Sequence, residues 1–130
     1  MKLNEQNYVD VAEKAILDLK NMKDKNGREI PMVTTSKLRN LLAMTADIYN
    51  IILNQKEDKL PDDICSRIEY LRVRFLYEAG RERAVKSMLE KASVMELMKG
   101  IRGSKRNYIL FNRYMEALVA FHKYYGGKEI

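Results

Sequence analysis

The chain is short of the residues that cross-linking and catalysis draw on. It has one cysteine, Cys65, and one histidine, His122. A lone thiol excludes an intrachain disulfide and with it a secreted disulfide scaffold, so a reducing cytoplasm is the expected setting. A zinc or haem site would have to be built mostly from carboxylates, and none is arranged for it. Neither metal nor cofactor is expected. No apolar run reaches the roughly 18 residues that a membrane span needs, and MKLNEQNYVD is polar and acidic where a signal peptide would be apolar. The expectation is a chain neither exported nor membrane-spanning. There is also no glycine-rich phosphate loop with a lysine, no nucleophile elbow and no carboxylate pair in opposed environments. An arginine and a histidine gripping one phosphate from one helix is the remaining catalytic idea. Arg113 and His122, however, are nine residues apart, about 13.5 Å of rise and on opposite sides of a helix. No enzyme is expected, and His122 reads as a surface or half-buried residue near a helix end.

What the chain does have is positive charge, unevenly spread. Its 130 residues carry 24 Lys and Arg against 18 Asp and Glu, a net of +6. Residues 1–60 hold 10 basic and 9 acidic side chains, and residues 61–130 hold 14 and 9. Eight of the ten arginines fall between Arg67 and Arg113. A local basic excess favours a polyanionic partner.

Helical periodicity runs through most of the chain. Val11, Ala15, Ile16, Leu19 and Met22 predict a first amphipathic helix over residues 7–24. Asn26-Gly27 and Pro31 end it, leaving Ile30 to Val33 as an extended, mobile connector. Thr34-Thr35-Ser36 offers hydroxyls for a helix start, followed by the stripe Leu38, Leu41, Leu42, Thr45, Ile48, Tyr49, Ile52. Residues 54–60 read as a solvated linker. Pro61, Asp62 and Asp63 suit a new helix start, after which Ile64, Cys65, Ile68, Leu71, Phe75 and Leu76 point inward as far as Gly80. Short helices follow over Arg81–Lys91 and Val94–Ile101. Gly100 and Gly103 break the chain, Ser104 caps, and Tyr108, Phe111, Tyr114, Met115, Leu118, Phe121 and Tyr125 line a last helix closed by Gly126-Gly127. The fold class predicted is all-α: a compact bundle of five or six helices, with no sheet, around one core.

Several cations stand out against that pattern. Lys37 and Arg39 fall in the first turn of a helix, where the dipole opposes them, and a bound anion would account for both. Arg67, Arg74 and Arg81 recur every seven residues, either as a grip or as an ordinary exposed face paired with Glu78 and Glu82. Lys99, Arg102, Lys105, Arg106 and Arg113 occupy a stretch without any acid. The tyrosines at stripe positions read as core, so base stacking is not expected.

Three stretches in order carry a resemblance: TTSKLR at residues 34–39 with the stripe behind it, IEYLRVRFLYEAGRER at 68–83, and YILFNRYMEALVAFHKYYGG at 108–127. Together the chain resembles the small subunit of the type III-A CRISPR RNA-guided interference complex, the Csm complex. The resemblance implies a single helical domain over residues 1–130, with 1–33 as N-terminal helix plus connector and 34–127 as the family-like core. It implies a non-catalytic subunit, with guide RNA and target RNA, the backbone and large subunits, and neighbouring copies of itself as partners. Such a subunit holds the RNA backbone without reading its sequence and stabilises the filament in antiviral defence. The residues it assigns to RNA are Lys37, Arg39, Arg72, Arg74, Arg81 and Arg113, with Arg67, Arg102 and Arg106 behind them. Two other classes stay open: a stand-alone helical regulator, for which Thr34 to Asn40 is the single recognition-helix candidate, and a protein-protein adaptor.

Overall fold

The last helix carries an aromatic stripe that water solvates poorly, and the bundle is arranged around it. The computed structural model describes residues 2–29 and 31–128. Among these residues it contains α1 (Tyr8–Lys20), α2 (Thr35–Ile52), α3 (Asp62–Arg81), α4 (Arg83–Lys91), α5 (Val94–Lys99) and α6 (Lys105–Tyr124). No strand occurs among them, only the isolated bridges Lys23–Glu29 and Lys59–Ser104. The all-α expectation holds.

In α6, Tyr108, Phe111, Tyr114, Met115 and Leu118 are all buried, and α1 and α2 pack along it. The polar tips of this stripe are not left dry. Tyr108 donates to the Thr45 carbonyl at 2.7 Å, and Tyr114 to the Ala92 carbonyl at 2.9 Å. Buried Asn112 lies 3.1 Å from the Thr45 hydroxyl and donates to Glu116 at 3.2 Å. A partnered buried hydroxyl contributes about 1 kcal/mol, whereas an orphaned one costs more than that. These bonds also orient the helices. Tyr108, early in α6, meets the middle of α2, while His122, late in α6, meets its start, so the two helices run antiparallel.

His122 departs from expectation. It is 1 % exposed. Its Nε2 lies 2.6 Å from the Val33 carbonyl, which can only accept, and its Nδ1 faces the Thr35 hydroxyl at 3.0 Å. The residue falls four after Leu118 and seven after Met115, so it belongs to the buried stripe, and two polar partners make burial of the imidazole tolerable. The same contacts secure the connector. Ile30 lies outside the described residues, but Val33 is buried and its carbonyl is held. The chain end closes over this point: Thr35 donates its amide to the Lys128 carbonyl at 2.7 Å. A Cβ at Gly127 would fall 2.1 Å from His122 Cε1, so only glycine fits there.

Two smaller corrections concern α3 and the linker before it. Leu76 is 54 % exposed rather than inward, because Ile64, Ile68, Leu71 and Phe75 already define the buried side. The helix passes through Gly80 and the chain bends at Glu82, whose φ is −135° and ψ 119°. The 54–60 linker is stitched to the start of α6. Leu60 is buried and bonds the Gly103 carbonyl at 2.8 Å, and the Lys105 amide bonds the Asp58 carbonyl at 2.7 Å.

Replacing His122 with Ala removes a packed ring, orphans the Val33 carbonyl and leaves the Thr35 hydroxyl only its 3.5 Å bond to the Gly127 carbonyl. A loss of about 3 kcal/mol is expected in urea denaturation. Burial pushes the Tyr114 phenol up to about 12, and Tyr108 is raised by burial and by Asp47. Below the ordinary phenol value of about 10 neither group makes stability pH-dependent. Above it the unfolded chain releases protons that the folded chain keeps, so stability is expected to fall as pH rises from about 10 toward 12. The Tyr114→Phe variant starts about 1 kcal/mol lower at neutral pH and falls less steeply in the same titration.

Candidate nucleic-acid interface

The side of α3 next to its buried side is where the chain sets cations in a row. Residues 67, 70, 74, 77 and 81 fall within about a quarter turn on a helix of 3.6 residues per turn, so Arg67, Tyr70, Arg74, Tyr77 and Arg81 share one face. Arg67, Tyr70 and Arg74 line a groove against Met44 and Asp47 of α2. Among the described residues neither Arg67 nor Arg74 has an ion-pair partner. Arg81 lies 3.3 Å from Glu78 and 5.6 Å from the centre of the Tyr77 ring.

Lys37 joins this end of α3. Its ammonium lies 3.6 Å from Glu78 and 3.7 Å from Glu82, so the carboxylates of α3 and its bend supply an anion for a lysine placed against its own helix dipole. Thr34 caps α2 as expected, accepting from the Lys37 amide at 3.2 Å. Arg39 is exposed in the next turn position. Arg72 is not brought to the row. Two residues from Arg74, it points about 200° away around α3 and bonds Glu69 at 2.9 Å, with its Nε buried and unpartnered.

A second group of cations gathers where α6 begins. Lys56, Lys105, Arg106 and Arg113 surround a recess shared with Asp58 and Glu5. Asp58 accepts from the Arg106 amide and from the Ser104 hydroxyl, each at 2.9 Å. The amide bond first and the hydroxyl second hold its carboxyl below the ordinary value of 3.8, with the charges of Arg106 and Lys105 adding to them. The Lys105 ammonium also donates to the Gln55 carbonyl. The acid-free stretch from Lys99 to Arg113 is divided by a left-handed turn at Arg102 and Gly103, with φ of 49° and 68°. Lys99 and Arg102 therefore face a separate recess beside Lys2 and Glu96.

The tyrosines divide as well. Tyr108 and Tyr114 are core, as read from the sequence, but Tyr70, Tyr77 and Tyr124 are 62, 61 and 79 % exposed. For Tyr70 and Tyr77 the signal was available, since they keep the offsets of the arginines and not those of Ile64, Ile68, Leu71 and Phe75. Among the described residues no group of three or more His, Cys, Asp or Glu side chains is positioned to hold a metal ion, and no helix is long and apolar enough to cross a membrane.

These features define the class: a small, basic, all-α bundle whose charged side chains are gathered on outer helix faces. Comparison with known proteins gives the family. The family model for Csm2 of type III-A matches residues 13–128, so the match starts inside α1. A Streptococcus thermophilus protein named CRISPR system Cms protein Csm2 is 45 % identical over 127 residues, 98 % of each chain. Proteins of the same name from Mycobacterium tuberculosis and Enterococcus italicus are 41 % and 38 % identical. They cover 82 % and 95 % of this chain and 84 % and 93 % of their own. The chain belongs to the type III-A Csm2 family.

Asp58→Ala is expected to lower the melting temperature by freeing the start of α6. The depressed carboxyl contributes its stability above pH 3.8 and loses it as pH falls through its folded value. The melting difference between variant and wild type should therefore shrink in acid, as followed by circular dichroism.

Proposed function

We propose that this chain is the non-catalytic small subunit of a type III-A CRISPR RNA-guided effector complex and holds the backbone of guide or target RNA without reading its sequence. Family membership supports the subunit role. The RNA role rests chiefly on one observation: arginines on outer faces that have no carboxylate partner among the described residues, Arg67 and Arg74 on α3 and Arg113 on α6. Phosphates supply the charge these guanidiniums lack, and base pairing between guide and target leaves sequence choice to the RNA. Arg39 adds to the surface from α2. Lys37, Arg72 and Arg81 contribute at its margin, each sharing its charge with Glu69, Glu78 or Glu82.

In this reading the chain acts as one helical domain in the cytoplasm. Its neighbours are the backbone and large subunits and further copies of itself, and it stabilises their filament. A stand-alone regulator is disfavoured, since the first turn of α2 is engaged by the Thr34 cap and by the reach of Lys37 to Glu78. The test is Arg74→Glu with Arg113→Glu in the assembled complex, followed by quantifying retained RNA across a salt series. Retention is expected to drop, and the slope of log affinity against log salt to flatten by about 0.7–0.9 per lost phosphate contact, with helicity unchanged. Undiminished retention with an unchanged slope would overturn the proposal.

A further inference from the structure

A backbone grip needs charge alone, yet the α3 row alternates charge with phenol. Arg67, Tyr70, Arg74, Tyr77 and Arg81 follow one another at offsets of 3, 4, 3 and 4 residues, over about 21 Å of helix. The fold makes no use of the two rings. Tyr70 and Tyr77 are 62 and 61 % exposed, and neither hydroxyl has a hydrogen-bond partner within the chain among the described residues. Tyr70 lines the open groove beside Met44 and Asp47, and among the described residues the only cation or ring set over either phenol is the Arg81 guanidinium, 5.6 Å from Tyr77. Exposed rings spaced between cations are what a strand offering alternate π-faces and phosphates would meet.

We propose that this face of α3 is a stacking platform for unpaired bases of single-stranded RNA. Tyr70 and Tyr77 receive base faces, and Arg67, Arg74 and Arg81 hold the flanking phosphates. The inference rests on the RNA-binding reading above and extends it from the backbone to the bases. Stacking is indifferent to base identity because every base has a π-face, so the platform adds affinity without sequence preference. Paired bases have their faces covered by neighbours, which restricts the platform to strands or nucleotides outside a duplex. The face does not suit the same face of a second copy, because two-fold pairing of α3 with α3 would set arginine against arginine. Arg67 and Arg74, without carboxylate partners among the described residues, complement a polyanion instead.

The test compares the full chain with its Tyr70→Leu/Tyr77→Leu variant, which keeps apolar bulk at exposed sites and leaves the core untouched. Each is titrated with oligouridylate, with the same strand lacking its bases, and with an RNA duplex. With no tryptophan among the residues and eight tyrosines, the emission is tyrosine emission, and the quenching that the variant loses is the part that belongs to Tyr70 and Tyr77. Expected are tyrosine quenching by oligouridylate and about tenfold weaker binding of it by the variant, with abasic strand and duplex bound equally by both. Equal oligouridylate affinity for wild type and variant, with Arg67→Ala/Arg74→Ala still weakening it, overturns the platform and leaves the backbone reading standing. Failure of the wild type to bind any of the three RNAs overturns both. Loss of a protein subunit instead of RNA, when the tyrosine variant is assembled into the complex, assigns the face to protein docking and also overturns the platform.

Discussion

Everything in this bundle depends on keeping the polar atoms of the α6 stripe partnered while its rings are dry. Tyr108, Asn112, Tyr114 and His122 bring hydroxyl, amide and imidazole groups into a core built mainly from Leu, Ile, Val, Ala, Phe and Met. Their partners lie at three places outside α6: the Thr45 carbonyl and hydroxyl in α2, shared by Tyr108 and Asn112, the Ala92 carbonyl after α4, and Val33 with Thr35 at the entrance to α2. Hydrophobic burial alone would tolerate sliding of one helix along another. Buried hydrogen bonds do not, because a displaced donor in a low-dielectric interior finds no replacement.

That constraint reaches the surface. With α2 held in register on α6, its first turn carries Lys37 to Glu78 and Glu82, and Met44 and Asp47 form one wall of the groove that Arg67 and Arg74 line. At the other end the 54–60 linker is clamped to the start of α6, which gathers Lys56, Arg106 and Arg113 around Asp58. The outer cations thus take their placement largely from uncharged contacts in the core, joined at the two ends by Lys37 on Glu78 and Lys105 on the Gln55 carbonyl.

Exposed rings on α3 sit against this economy. Solvated Tyr70, Val73 and Tyr77 give up burial that the core could have used, and among the described residues only the Arg81 guanidinium over Tyr77 offsets it. Large apolar side chains kept in water beside arginines that have no ion pair among the described residues are what the proposed platform on α3 accounts for.

Periodicity settled which segments are helical, since apolar residues at offsets of three and four leave α1, α2, α3 and α6 only one way to bury them. The caps at Thr34 and Ser104 and the turn at Gly126-Gly127 were equally legible, because they depend on residues adjacent in sequence. Family resemblance, too, was written in the order of three short stretches. What periodicity could not settle was which charge meets which. Whether Lys37 awaits a foreign anion or reaches Glu78, 41 positions away in the chain, depends on how α2 lies against α3. Likewise, His122 is a surface residue by composition and a core residue by contact, because burial of an imidazole becomes tolerable only when Val33 and Thr35 are brought to it from 89 and 87 positions away. Local rules decide helices because their hydrogen bonds close within four residues; ion pairs and buried polar contacts close across the chain, so only the packed structure decides them.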